Sequence, residues 1–230
     1  MDRESKRRVL LSSPLFAALP GEALDDVLDR ATERQVRRNQ TVFQMGDEGN
    51  YMAAVLSGRI RIHANTPDGR EVTLNLIDAG EVFGEIALLD GKPRSAEATA
   101  IQETTLLMVE RRHFLPHLTG GVALRVIDLL CQRLRETSET LGNFAMLDLP
   151  GRLARRLLKL GTEYGGKTPD GQILLDIRLS DTELSRFVGC TRETVNKQIR
   201  GWEIDGILDR DGGRITIRKP SVLRRLGGLT

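Results

Sequence analysis

Two short stretches of this chain bring together residue types that suit chemistry. The first is Phe83-Gly84-Glu85-Ile86-Ala87-Leu88-Leu89, followed closely by Arg94 and Ser95. A glycine that opens a single helical turn leaves backbone N–H groups pointing outward, here along Gly84, Glu85, Ile86 and Ala87, and the positive end of such a turn receives an anion. Arg94 adds a planar fork of donors and Ser95 a hydroxyl, which together suit a phosphate. Glu85 is an odd companion for a phosphate, and makes sense if the ligand also carries a hydroxyl donor, as a ribose does. The alternative is an ion pair of Glu85 with Arg94 inside an empty domain.

The second stretch runs from Ser180 to Trp202. Ser180-Asp181-Thr182-Glu183 is a capping box that starts a short helix burying Leu184, Phe187 and Val188. Gly189 breaks it, and Thr191 can cap a second helix from Arg192 to about Trp202. There Val195, Ile199 and Trp202 share one face, leaving Arg192, Glu193, Asn196, Lys197 and Arg200 on the other. Arginine can take guanine O6 and N7 together. Glutamate accepts from cytosine N4 and is disfavoured near phosphates, so the pair suits base reading. Lys197 and Arg200 add a base or phosphate contact. Ile207 to Arg210 and Arg214 to Ile217 flank Asp211-Gly212-Gly213 as a β-hairpin, so the module reads as a winged helix-turn-helix. A solvated, salt-bridged helix is the alternative.

Charge agrees with the second reading. The 230 residues carry a net charge of +2, but from Gly151 onward 16 Lys and Arg face 10 Asp and Glu, a net of +6, against −4 for residues 1–150. A basic C-terminal third suggests contact with a polyanion. With 40% hydrophobic and 29% charged residues the chain reads as globular. No apolar run approaches the roughly 18 residues of a membrane span, and no apolar signal core follows the opening MDRESKRR, so no membrane partner and a cytoplasmic location are expected. Two distant cysteines, Cys131 and Cys190, and three histidines without a ligating motif leave little for a metal.

The elements that must position these residues are of three kinds. After short amphipathic helices, the texture from about Arg38 becomes β-like: Thr41 to Phe43, Met52 to Leu56, Arg59 to His63, Glu71 to Ile77 and Thr104 to Val109, with glycines between them and a hairpin turn at Asp68-Gly69. This spacing predicts a small barrel or roll. Gly121 to Leu147 then reads as one long helix with Ile127, Leu130, Leu134, Thr137, Leu141 and Phe144 as an a/d seam against a partner helix. Thr137 and Ser138 interrupt that seam with hydroxyls, satisfied either by the helix's own carbonyls or by something from outside. The break at Leu147-Asp148-Leu149-Pro150-Gly151 reads as a hinge, with Asp148 capping a helix from Arg152 to Leu160. Glu163 to Gly171 is loop by composition.

FGEIALLDGKPRSAEATA closely resembles the phosphate-binding cassette of cyclic-nucleotide-binding domains. The resemblance implies that Glu85 holds the ribose 2′-hydroxyl, that Arg94 and Ser95 bind the cyclic phosphate and that Gly84 permits close backbone approach. Val188-Gly189-Cys190-Thr191-Arg192-Glu193-Thr194-Val195 resembles the recognition segment of bacterial regulators of the cyclic AMP receptor and fumarate-nitrate regulator family, cyclic AMP receptor branch. By that likeness Arg192 and Glu193 read a GTGA-type half-site, while Lys197 stands where that branch usually has Arg. Arg133-Leu134-Arg135-Glu136-Thr137-Ser138 resembles the string that meets the adenine, Thr from one subunit and Ser from the other. The implied fold is α+β: a jelly-roll-like cyclic-nucleotide-binding β-roll over residues 1–120, a dimerisation helix over 121–147, a hinge at 148–151 and a winged helix-turn-helix over 152–230. The implied function is that of a homodimeric DNA-binding transcription regulator, not an enzyme. Its effector would be cyclic AMP, with cyclic GMP or an effector-free regulator as alternatives, and its partners palindromic double-stranded DNA and RNA polymerase. The iron–sulfur and haem branches are not expected, for want of an N-terminal cysteine cluster and of a supported axial ligand.

Overall fold

A computed structural model describes residues 1–65 and 71–229. The Asp68-Gly69 turn lies outside the described residues. The chain divides into two compact units, Met1–Ala64 with Leu74–Thr137, and Asn65–Thr73 with Ser138–Thr230.

In the first unit, helices α1 (Arg3–Leu11), α2 (Pro14–Ala17) and α3 (Gly21–Arg30) precede eight strands. These are β1 (Thr32–Val36), β2 (Thr41–Phe43), β3 (Tyr51–Ser57), β4 (Arg59–Asn65), β5 (Glu71–Asp78), β6 (Val82–Phe83), β7 (Glu97–Ala100) and β8 (Thr104–Glu110). The short helix α4 (Glu85–Asp90) interrupts them after β6, and α5 (Arg111–Phe114) follows β8. The strands form two four-stranded sheets, ordered β1-β8-β3-β6 and β2-β7-β4-β5, which is the expected roll. The uninterrupted apolar runs of β3 and β8 are buried on both faces. Met52, Ala54, Leu107 and Val109 pack towards the helices with Phe16, Val27 and Phe114. Ala53, Val55, Leu106 and Met108 point the other way, into a core with Phe43, Ile60 and Phe83. The two-residue period of a strand divides one hydrophobic run between two cores.

Three strands of this unit were not anticipated. In β1 only Val36 is buried, so its sequence TERQV shows no alternation, and pairing with β8 holds it. In β7, EATA buries alanines whose strand propensity is low, and β6 is two residues long.

Helix α6 (Gly120–Met146) spans the division between the units. Its exposed apolar positions correct the expected seam. Leu124, Ile127, Leu134 and Leu141 are 63%, 54%, 67% and 70% exposed, whereas Leu130 is half-buried against the core of its own unit. Cys131 and Ser138 are exposed, so the stripe on the surface is Leu124, Ile127, Cys131, Leu134, Ser138, Leu141. The spacing of three and four is kept, with Cys131 in the place assigned to Leu130 and Ser138 exposed beside Thr137, which is exposed as well. The packing of α6 on its own domain, invisible to periodicity, rotates the stripe.

In the second unit, α7 (Leu149–Tyr164) is capped by Asp148, whose Oδ1 accepts from Gly151 N at 2.9 Å, and carries Pro150 in its first turn. It runs past the expected Leu160. The segment read as loop contains β9 (Gly165–Lys167), paired with β10 (Ile173–Leu175). A Cβ at Gly165 would meet Gly161 O at 2.4 Å, so only glycine lets this strand leave the helix so tightly. The remaining elements are α8 (Asp181–Val188), α9 (Arg192–Ile204), β11 (Leu208–Asp211), β12 (Arg214–Ile217) and α10 (Pro220–Leu226). Leu153 and Leu157 of α7, Leu184 of α8, Val195, Ile199 and Trp202 of α9 and Ile215 of the wing share one core. The capping box at Ser180 has both reciprocal bonds, and Gly189 at φ +64° makes the turn between α8 and α9. Among the described residues no single helix is long and apolar enough to cross a membrane.

Because the Ser180 hydroxyl accepts from Glu183 N at the start of α8, Ser180→Ala should lower the unfolding free energy by about 1 kcal/mol, measured by urea denaturation.

Candidate functional site

The turn from β6 into α4 builds one wall of a cavity of about 300 Å³ in the first unit. Gly84 stands at φ +76°, and a Cβ there would meet Arg94 Nη1 at 2.6 Å. That space is needed because Arg94 donates from Nη1 to Gly84 O (2.8 Å) and from Nη2 to Tyr51 O (2.7 Å). Its guanidinium lies over the rings of Phe43 and Tyr51, 4.1 and 4.4 Å from their centroids. Arg94 is only 3% exposed, its Nε has no hydrogen-bond partner, and burial lowers its pKa from the ordinary value. A cation is thus fixed in place by two carbonyls and two aromatic faces.

Glu85 is 5% exposed in the same cavity, and burial raises its carboxyl pKa, with Arg133 opposing. Arg133 Nε lies 3.6 Å from Glu85 Oε1, while its Nη2 donates to Val82 O (3.1 Å) and Nη1 to Glu136 Oε2 (3.4 Å). Thr137 donates to Arg133 O at 2.8 Å, so the helix satisfies its hydroxyl proton, while its oxygen keeps acceptor capacity. The cavity collects eight of the nine expected ligand residues: Gly84, Glu85, Ile86, Ala87, Arg94, Ser95, Arg133 and Thr137. Ser138 does not line it and lies on the exposed stripe of α6. The direct pairing of Glu85 with Arg94 that the sequence left open is not the arrangement; Glu85 faces Arg133.

Phe43, Tyr51, Asn75 and Glu136 were not anticipated at this site. Phe43 and Tyr51 come from β2 and β3, and nothing local in sequence brings them to Arg94. Glu136 had a signal, its spacing of three from Arg133 on a helix.

The other expected surface is the outward face of α9. Arg192, Glu193, Lys197 and Arg200 are exposed and line one shallow open surface with Gly201 and Ile204. Thr191 caps the helix, its hydroxyl accepting from Thr194 N. Asn196 is half-buried, and its Nδ2 donates to Asp181 Oδ2 at 2.6 Å. Arg210 of the wing pairs with the same carboxylate. Asp181 therefore ties both α9 and the wing to α8, and Asn196 lines the same open surface as Arg192, Glu193, Lys197 and Arg200.

Over 216 residues the chain is 33% identical to the cyclic AMP receptor protein of Thermus thermophilus, covering 93% of this chain and 96% of that protein. The chain belongs to the cyclic AMP receptor and fumarate-nitrate regulator family. The cyclic nucleotide-binding domain profile matches residues 33–118, and the Crp-like helix-turn-helix domain profile matches residues 151–226. The CRP-like cAMP-activated global transcriptional regulator of Mycobacterium tuberculosis is 29% identical over 220 residues, covering 91% of this chain and 98% of its own. A solved transcriptional regulator of the family, also from Thermus thermophilus, superposes with a TM-score of 0.70 at 25% identity, covering 85% of this chain and 96% of that one. The protein is a transcription regulator with a cyclic-nucleotide-binding domain and a DNA-binding helix-turn-helix, not an enzyme.

In this regulator the buried charge of Glu85 opposes folding. A raised carboxyl pKa gives stability that is complete below the unfolded value and lost as pH rises through the folded one. Glu85→Gln should therefore raise the melting temperature of the ligand-free protein at neutral pH. Melting curves should converge with those of the original protein as pH falls into the ordinary carboxylate range.

Proposed function

We propose that this regulator binds cyclic AMP in the β-roll cavity and couples that binding to recognition of palindromic DNA as a homodimer. Arg94 carries the effector reading. Burying a guanidinium is costly unless its charge and hydrogen bonds are compensated. Here two carbonyls and two rings hold it beside Glu85 with Nε unpartnered, an arrangement an entering cyclic phosphate completes. Ser95 and the N–H groups of Gly84, Glu85, Ile86 and Ala87 supply further donors to the phosphate. Glu85, kept close by Arg133, accepts from the ribose 2′-hydroxyl. Thr137 meets the base. The names of the relatives from Thermus thermophilus and Mycobacterium tuberculosis favour adenine.

The homodimer reading rests on the stripe of α6. Four large aliphatic side chains more than half exposed at heptad-like spacing would be buried by a second copy of the same helix. Ser138 on that stripe would reach the base held by the partner. A two-fold dimer presents two α9 helices to successive major-groove turns about 34 Å apart, which matches a palindrome. Arg192 and Glu193 are assigned to base edges, with Thr191, Lys197 and Arg200 at bases or phosphates, and RNA polymerase is the expected further partner.

Isothermal titration with cyclic AMP should show saturable heat, and Arg94→Ala should weaken binding by about thirtyfold or more, the cost of truncating one member of a buried charge pair. No heat with the original protein would contradict the effector reading. Arg192→Ala and Glu193→Ala should each lower affinity for a GTGA-type palindrome by about 1–3 kcal/mol, measured by fluorescence anisotropy. Unchanged affinity for every promoter fragment would remove them from the interface.

A further inference from the structure

Glu136 is an unexpected lining residue of the cavity. It lines the cavity together with Thr137 and with Asn75 of β5. Asn75 Oδ1 accepts from Leu76 N at 2.9 Å, which turns its Nδ2 towards Glu136 Oε2 at 3.1 Å. Arg133 Nη1 reaches the same oxygen at 3.4 Å, while Oε1 takes a bond from the exposed Gln132 Nε2 at 3.0 Å. The cavity lining therefore sets a donor, Asn75 Nδ2, beside an acceptor-only carboxylate.

A carboxylate in this position matches one purine better than the other. The Watson–Crick edge of guanine presents O6 as an acceptor, then N1–H and the N2 amino group as adjacent donors. A carboxylate accepts both donors together, and an amide N–H alongside serves O6. Adenine presents one donor, its N6 amino group, beside the lone pair of N1. That lone pair would face the carboxylate, which has no proton to give. Gln132 is an exposed side chain, so its bond to Oε1 can be exchanged for a contact to the base. Discrimination is large where a site is built to hydrogen-bond one edge, because the wrong base leaves buried groups unpaired.

We infer that Glu136 and Asn75 form a base-reading edge that admits guanine, so that cyclic GMP is a ligand of the same cavity and Glu136 sets its affinity relative to cyclic AMP. This rests on the cyclic-nucleotide reading of the cavity and adds to it the residue that selects the base. Glu136→Gln separates base reading from a supporting role. The amide keeps one acceptor and gains one donor, which is the pattern adenine complements through N6–H and N1.

The test is isothermal titration of the full-length protein, of Glu136→Gln and of Asn75→Ser with cyclic AMP and with cyclic GMP. The original protein is expected to bind both nucleotides. Glu136→Gln should shift the ratio of affinities towards cyclic AMP by about tenfold, equivalent to one charge-assisted hydrogen bond, and Asn75→Ser should shift it the same way by less. A purely structural Glu136 would weaken both nucleotides alike or neither, leaving the ratio unchanged, and that result overturns the inference. Binding of cyclic AMP without cyclic GMP by the original protein overturns it too, while leaving the effector reading intact. Failure of both nucleotides to bind the original protein would overturn the effector reading itself.

Discussion

The burial of Arg94 is the constraint on which the roll depends. A guanidinium 3% exposed needs its donors met, and two of them go to carbonyls contributed by distant strands, Gly84 after β6 and Tyr51 in β3. The aromatic faces come from β2 and β3. Placing one side chain thus fixes the approach of three strands and requires glycine at position 84. The arrangement is one of preorganisation: the cost of holding the cation is met by the fold before any ligand arrives, which leaves more of the interaction energy for binding. Glu85 shows the opposite case, since its burial disfavours its charge and so lowers the stability of the ligand-free roll.

Helix α6 carries the coupling in our reading. Arg133, Glu136 and Thr137 face the cavity, while Leu134, Ser138 and Leu141 lie on the exposed stripe. Cavity-lining positions and exposed stripe positions thus alternate within one turn of the same helix. A nucleotide shifts the arrangement of the DNA-binding units only in so far as it binds the DNA-competent state more tightly than the other. Contacts made to α6 from both sides are where that difference can arise.

Local signals carried much of this in the sequence. The capping box at Ser180, the Asp148 cap, the buried face of α9 and the cassette from Phe83 to Ser95 are short-range features, and the structure has them where the residues put them. What was not legible depends on partners distant in sequence. Strand β1 exists because β8 pairs with it, and β9 because β10 does. The seam was read one residue away at Leu130, because periodicity reveals an apolar stripe but not which side its own domain already covers. Asn196 lines the outward surface of α9 as its helical position implies, but its hydrogen bond to Asp181 of the neighbouring helix has no local signal. Phe43 and Tyr51 reach Arg94 only through sheet geometry.

The central claim is that a nucleotide bound in the roll changes how the recognition helices meet DNA. Its most direct measurement is the affinity of the full-length protein for a fluorescently labelled GTGA-type palindrome, at fixed salt, without and with saturating cyclic AMP. The nucleotide should tighten binding by about fivefold or more, the lower end of ordinary coupling free energies. Equal affinity in both conditions, with nucleotide binding confirmed, would contradict it.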